Sequence, residues 1–283
     1  MIREDDLQLS EKIEDLLVAR NLRGMQSVQM ALAAGYYLRG ASLIYQNHQR
    51  VLIGTGFPVA GSFETDGPVG AIALYEALEA LGGEPVLACA PPLLDALASK
   101  YRTQALSLPS AEAPADHRAL EAQNILDSMN PTAIISIERP GLSASGKYYN
   151  MRHEDISASC ACFDECVQRA DCPSIAIGDG GNEIGMGNVR DTIAKLDIEA
   201  STTHCDELLV ADVSNWGAYG IIAFLGRWSE RDLLASVDPV KSLAFLCSHG
   251  GVDGVTREAT LSEDGLPASE GLNLIDELRR LCK

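Results

Sequence analysis

The apolar positions of the chain fall into two alternating patterns. Short continuous runs stand at Val51–Thr55 (VLIGT), 85–89, Ala133–Ile137 (AIISI), Ser174–Gly178 (SIAIG) and 207–212 (ELLVAD). They have the length of strands, and runs that are apolar on both faces suit strands buried on both faces. Between them apolar residues recur at helical spacing, as with Ile13, Leu16 and Leu17. This spacing predicts helices over 6–20, 24–39, 69–81, 93–100, 115–128, 157–170, 216–228, 239–249 and 270–281. The helix over 69–81 ends at Gly82 and Gly83, the usual C-terminal stop.

Strands that alternate with helices predict an α/β fold with a mostly parallel sheet covered by helices on both faces, in three layers. No repeat, low-complexity stretch or long linker interrupts it. Two units are expected: an N-terminal helical segment over 1–50, packed on the core, and an α/β domain over 51–283. In such sheets ligands bind beyond the carboxyl ends of the strands. The glycine-rich and charged motifs converge there. GTGF and ETDG follow the first run, ERPG follows AIISI, GDGGNE follows SIAIG, and ADVSNWG follows ELLV.

Composition narrows the ligand. The net charge of −18 and an aromatic content of 5% offer neither a basic footprint nor stacking platforms for nucleic acid. A small anionic ligand in so acidic a chain needs local help from an arginine, a lysine, a cation or a helix N-terminus. No apolar run is long enough to span a bilayer, and the acidic N-terminus lacks a signal-peptide pattern. The expected location is cytoplasmic. The glycine loop does not match the phosphate loop with its Lys-Ser/Thr ending, so no nucleotide cofactor is expected. Cys160, Cys162, Cys166 and Cys172 lack the C-x-x-C knuckle of a metal site and read as reduced, structural thiols.

The densest chemistry is IGDGGNEIGMGN, residues 177–188, with five glycines around Asp179, Asn182 and Glu183. Carboxylates and an amide on so mobile a backbone suit a hard cation or acid–base work; a capped turn would use Asp179 and Asn182 on backbone N–H groups. In ETDGP, Glu64 and Asp66 either cap the following helix or point into the crevice. Arg139, from ERPG, and Asn150 and Arg152, from KYYNMR, either clamp an anionic substrate or pair with neighbouring acids. His249 and Asp253, in SHGGVDG, are minor candidates.

Taken in this order, GTGF, ETDGPVGA, ERPG with KYYNMR, and GDGGNEIGMGN resemble the D-glutamate cyclase C-terminal domain family, formerly grouped as a domain of unknown function. The resemblance runs from about Val51 to His249. It implies a hydro-lyase that converts D-glutamate to 5-oxo-D-proline with loss of water, helped by a divalent cation such as Mn²⁺ or Mg²⁺. On that reading Asp66, Asp179 and Glu183 hold the cation and carry the acid–base step, with Glu64 or Asn182 as further ligands. Arg139, Arg152 and Asn150 bind the acidic substrate, and backbone N–H groups of Gly54, Thr55, Gly56, Gly180 and Gly181 supply anion contacts. Two rival readings suit the same residues: a metal-dependent phosphatase or phosphoesterase, and a non-catalytic protein that binds an acidic amino acid. The apolar stretches IIAFLGRW and SLAFLC allow a homo-oligomer.

Overall fold

A computed structural model describes residue 3, residues 5–107 and residues 113–283. The N-terminal segment forms α1 (Asp6–Leu17), α2 (Met25–Gln29) and α3 (Tyr36–Gln46). The single helix expected over 24–39 is therefore split. Gly35 precedes α3 at φ 87°, a left-handed conformation that glycine tolerates, and there the chain turns. The apolar faces of α1 (Leu9, Ile13, Leu17) and α3 (Tyr36, Tyr37, Ala41, Ile44) are buried.

β1 (Val51–Thr55) leads into a small ribbon, β2 (Pro58–Val59) and β3 (Ser62–Phe63), turned by Ala60 and Gly61. α4 (Pro68–Ala80) then precedes β4 (Val86–Cys89), α5 (Leu93–Leu97), β5 (Thr103–Ala105) and α6 (Ala115–Met129). Next come β6 (Ala133–Ile137), α7 (Asp164–Arg169), β7 (Ser174–Gly178), α8 (Arg190–Ile193), β8 (Glu207–Val210) and α9 (Ser214–Ser229). The chain ends with α10 (Pro239–Ser248), a second ribbon of β9 (Ser262–Glu263) and β10 (Leu266–Pro267), and α11 (Ala268–Leu281). Of the helix expected over 157–170, only α7 forms. The carbonyl of Ala161 accepts from Arg139 instead of from a following turn, and Phe163 packs under β1.

Six strands make one parallel sheet in the order β5-β4-β1-β6-β7-β8. In chain order these are strands 3-2-1-4-5-6, the doubly wound arrangement. The central strands β1, β6 and β7 are buried along their whole length, which is why they read as unbroken apolar runs. α4, α9, α3, α1 and α11 pack together, with α4 on β1 and α9 on β7, while α7 packs on α6 and β6. The fold is thus the three-layer α/β class. The direction of winding reverses between β1 and β6. Thr55 and Ile137 sit in register there, so the loops after them leave the sheet side by side and open a crevice.

None of the eight cysteines is in a disulfide. Burial pushes the Cys162 thiol up to about 11 and the Cys166 thiol up to about 12. No helix among the described residues is long and apolar enough to cross a membrane.

Candidate active site

The crevice at the winding reversal is a cavity of about 770 Å³. Its walls include Thr55 to Glu64 after β1, Glu138 to Pro140 after β6, and Asp179, Asn182 and Glu183 after β7. Asp264 joins them from the β9–β10 ribbon, and Arg23 from the turn between α1 and α2.

Asp66 does not cap α4, whose first turn it adjoins; Gly67 holds that position without a side-chain cap. Instead its Oδ1 accepts the N–H of Gly67 at 2.8 Å and of Asn215 at 2.8 Å, and its Oδ2 the N–H of Ser214 at 2.9 Å. Ser214 and Asn215 begin α9, so Asp66 sits at the positive end of a different helix. Asp179 Oδ2 accepts from Ser214 N at 3.1 Å and pairs with Arg23 at 2.7 Å. Glu138 accepts the Ser214 hydroxyl at 2.6 Å and holds a positive φ of 45°, rare for a side-chain-bearing residue. Glu64 is 7% exposed and its carboxylate has no hydrogen bond or ion pair among the described residues.

Glu64, Glu138, Asp179, Glu183 and Asp264 thus line one cavity, with Asp66 bound beside Asp179 at the start of α9, and their electrostatics follow. Desolvation, reinforced by Asp264 and Asp66, holds Glu64 well above the usual carboxylate range. Desolvation with Glu183 and Glu64 does the same to Glu138. Asp66 is raised to about 6 by burial and by Asp264. Asp179 is raised by burial, against the pull of Arg23. Two groups have ligand oxygens within 4.8 Å of one another: Asp66, Asp179 and Asp264, and Glu138, Asp179 and Glu183. Asp179 belongs to both. An all-oxygen, anionic donor set fits a hard divalent cation, and the unpartnered Glu64 beside it fits the same charge.

Glu183, a member of the Glu138–Asp179–Glu183 group, is also bound by its own loop. Its Oε1 accepts from Gly180 N at 2.6 Å and Asp179 N at 3.2 Å, and its Oε2 from Gly181 N at 2.6 Å. The glycine loop folds its amides into a nest, and the chain's own carboxylate fills it. The N–H groups of Gly180 and Gly181, expected to bind substrate, are therefore taken. Asn182 Nδ2 donates to the Tyr149 carbonyl at 2.8 Å and ties down the neighbouring loop. Asn150 is also occupied locally: its Oδ1 accepts from Arg152 N and Glu154 N, and its Nδ2 donates to Glu154 at 2.6 Å.

Gly54 contributes space, not an anion contact, because a Cβ there would stand 2.2 Å from the Phe163 ring. Gly56 turns out of the sheet at φ 104°. The carbonyls of Thr55 and Gly56 accept from Arg139 Nη1 at 2.8 and 3.4 Å. Arg139 is thus buried against backbone oxygens and, among the described residues, has no acidic partner, and its Nε and the Thr55 hydroxyl are buried without a hydrogen-bond partner. Arg152 lies exposed on the cavity wall and, among the described residues, forms no ion pair. The acids expected to neutralise it are engaged elsewhere, Asp155 by Lys147 at 2.6 Å and Glu154 by Arg257 at 3.5 Å. His249 is exposed beyond α10, and Asp253 organises its own loop by accepting from Val255, Thr256, Ser262 and Gly265.

Three residues at the site lie outside the expected set: Arg23, Asp264 and, as a candidate ligand, Glu138. Asp264 had a readable signal. Asp-Gly between two short strands marks a tight hairpin, and Asp264 and Gly265 both take positive φ, 51° and 77°. Arg23 had none, since only the folded chain brings the α1–α2 turn to the ends of the strands.

A doubly wound α/β protein with a buried carboxylate cluster at its winding reversal is the class that fold and site define. The sequence model of the family "D-glutamate cyclase-like, C-terminal" matches residues 13–279, and the chain belongs to that family. Among curated relatives, the human mitochondrial D-glutamate cyclase is 30% identical over 80% of this chain. The match covers 44% of that relative, so the chain spans less than half its length.

Proposed function

We propose that the chain is a D-glutamate cyclase-like hydro-lyase, converting D-glutamate to 5-oxo-D-proline and water with a divalent cation, Mn²⁺ or Mg²⁺, held at the carboxylate cluster. The cluster itself carries the reading: among the described residues, the ion pairs made by Glu64, Glu138, Asp179, Glu183, Asp264 and the adjoining Asp66 are those of Asp179 and Asp264 with Arg23. The family and the printed name of the human relative support the substrate. A cytoplasmic location and a homo-oligomeric state belong to the same proposal; the named relative is mitochondrial.

The chemistry sets the demands. One C–N bond forms between the α-nitrogen and the γ-carbon, and one C–O bond of the γ-carboxylate breaks. Two of the three ammonium protons leave with that oxygen as water. Asp66, Asp179 and Asp264 would hold a divalent cation that neutralises the γ-carboxylate, which leaves Glu138 free to carry a proton. The chain's residues do the rest. Asp179, with an oxygen in both groups, takes one ammonium proton and delivers it to the departing oxygen, while Glu138, held by Ser214, gives that oxygen its second proton and recovers the other from the nitrogen. Arg152, which among the described residues forms no ion pair, receives the α-carboxylate at the cavity wall. Glu183 keeps the loop closed on itself and so fixes where Asp179 stands. The narrow crevice folds the substrate so that its two ends meet before reaction.

Thermal protection tests the assignment, because a ligand bound by the native state raises the melting temperature by mass action. D-glutamate with Mn²⁺ is expected to raise it more than inorganic phosphate with Mn²⁺. Greater protection by phosphate would replace the cyclase with phosphoester chemistry.

A further inference from the structure

Arg23 belongs to none of the motifs at the strand ends. It stands in the turn between α1 and α2, yet its side chain is only 18% exposed and enters the crevice. Nε donates to the Asp179 carbonyl at 3.1 Å, and Nη2 to the Asp212 carbonyl at 3.0 Å. Nη2 also pairs with Asp179 Oδ2 at 2.7 Å and with the Asp264 carboxylate. Among the described residues these are the ion pairs that Asp179 and Asp264 make.

We infer that Arg23 is a positioning residue for the divalent cation: it clamps Asp179 and Asp264 and so holds the two, with Asp66, as one ligand group. The inference rests on the cation reading above. Asp179 sits in a strand-end loop and Asp264 at the tip of a ribbon, and two carboxylates brought together repel. The planar guanidinium reaches both acids and the Asp212 carbonyl through Nη2 and fixes its orientation with Nε on the Asp179 carbonyl; an ammonium has one nitrogen and lacks that second anchor. The oxygens that Arg23 uses are Oδ2 of each acid. Held in this way, Asp179, Asp264 and Asp66 each offer an oxygen within 4.8 Å of the others. The opposing role is that of a counter-ion, in which Arg23 neutralises the cluster and competes with the cation. The two roles predict opposite effects when the fork is removed.

Calorimetric titration of Mn²⁺ into the full chain distinguishes them, using wild type, Arg23→Lys, Arg23→Gln and Asp179→Asn, with folding followed by circular dichroism. Loss of a partner that orients metal-binding carboxylates weakens metal binding by about 10–100-fold. Arg23→Lys keeps the charge and loses the fork, and its affinity is expected to fall by that factor; Arg23→Gln is expected to fall as well. Wild-type affinity in Arg23→Lys, or tighter binding in Arg23→Gln, would overturn the positioning role. If Arg23→Gln does not fold, Arg23→Lys alone decides. Absence of Mn²⁺ binding to wild type, or unchanged binding in Asp179→Asn, would instead remove the cation reading on which the inference rests.

Discussion

A single carboxylate such as Asp66 depends on groups far apart in the chain: its own following amide and the first two amides of α9. Asp179 and Glu183, four residues apart, are used in opposite ways. Asp179 keeps oxygen atoms in both candidate ligand groups, whereas Glu183 is held by three backbone N–H groups of its own loop. Their amide variants should therefore fail differently. Asp179→Asn should lower turnover by about 10²–10⁴-fold, the usual worth of an acid–base group, with melting unchanged or raised because one buried like charge is gone. Glu183→Gln places an NH₂ against an N–H donor, so it should lower both turnover and melting temperature. Circular dichroism melts beside turnover separate the two patterns. A normal melt in Glu183→Gln would contradict the structural role of that side chain. The motif GDGGNE marked these residues in the sequence. Which carboxylate was already satisfied depended on loop dihedrals that five glycines leave open.

Among the elements, α9 does the most to organise the site. Its first amides hold Asp66 and Asp179, and the Ser214 hydroxyl holds Glu138. Asn215 extends the link by accepting from Gly70 N at 2.7 Å and donating to Glu263, which is buried and pushed up to about 8. Gly70 permits this contact between α4 and α9, since a Cβ there would stand 2.8 Å from the Asn215 Cα. That neighbour is backbone and cannot swing aside. Gly70→Ala should cost about 1–3 kcal/mol, the range for overpacking, and should also lower turnover by shifting the α9 terminus. Urea unfolding with a parallel turnover assay checks both effects, and wild-type values in both would refute the close contact. At this scale the sequence was most legible in the central strands: VLIGT, AIISI and SIAIG fall where their apolar runs end. Helices were less so. Gly35 stops one helical pattern, and Ala161 spends its carbonyl on Arg139 in another, so local spacing was overruled by a turn and by a tertiary contact. The tiny ribbons carry too few residues to show a period.

Across the whole molecule, the alternation of patterns was enough to give the α/β class. The position of the crevice then follows from the strand order, which only pairing reveals. The N-terminal segment is joined to this architecture at two depths: its apolar faces cover α9 and β8, and Arg23 reaches the site. Glu14 braces it, accepting from Ser10 Oγ at 2.7 Å, Gly35 N at 3.2 Å and Tyr37 N at 3.3 Å. Burial raises the Glu14 carboxyl above its ordinary value of 4.5, so the folded state binds its proton more tightly than the unfolded state does. The resulting stability is fully present below the ordinary value and is lost as pH rises through the raised one. Relative to Glu14→Gln, wild type should therefore lose stability as pH rises from the ordinary value of 4.5 through the raised one. Urea midpoints of the two proteins at both ends of that window test this, and a constant difference would contradict it.

The central claim is that the carboxylate crevice turns D-glutamate over with a divalent cation. Chiral chromatography of D- and L-glutamate incubated with the purified chain, with Mn²⁺ and again with EDTA, tests it most directly. 5-Oxo-D-proline is expected from D-glutamate with Mn²⁺, and its loss is expected with EDTA. Undiminished product in EDTA, or none with Mn²⁺ or Mg²⁺, would contradict it.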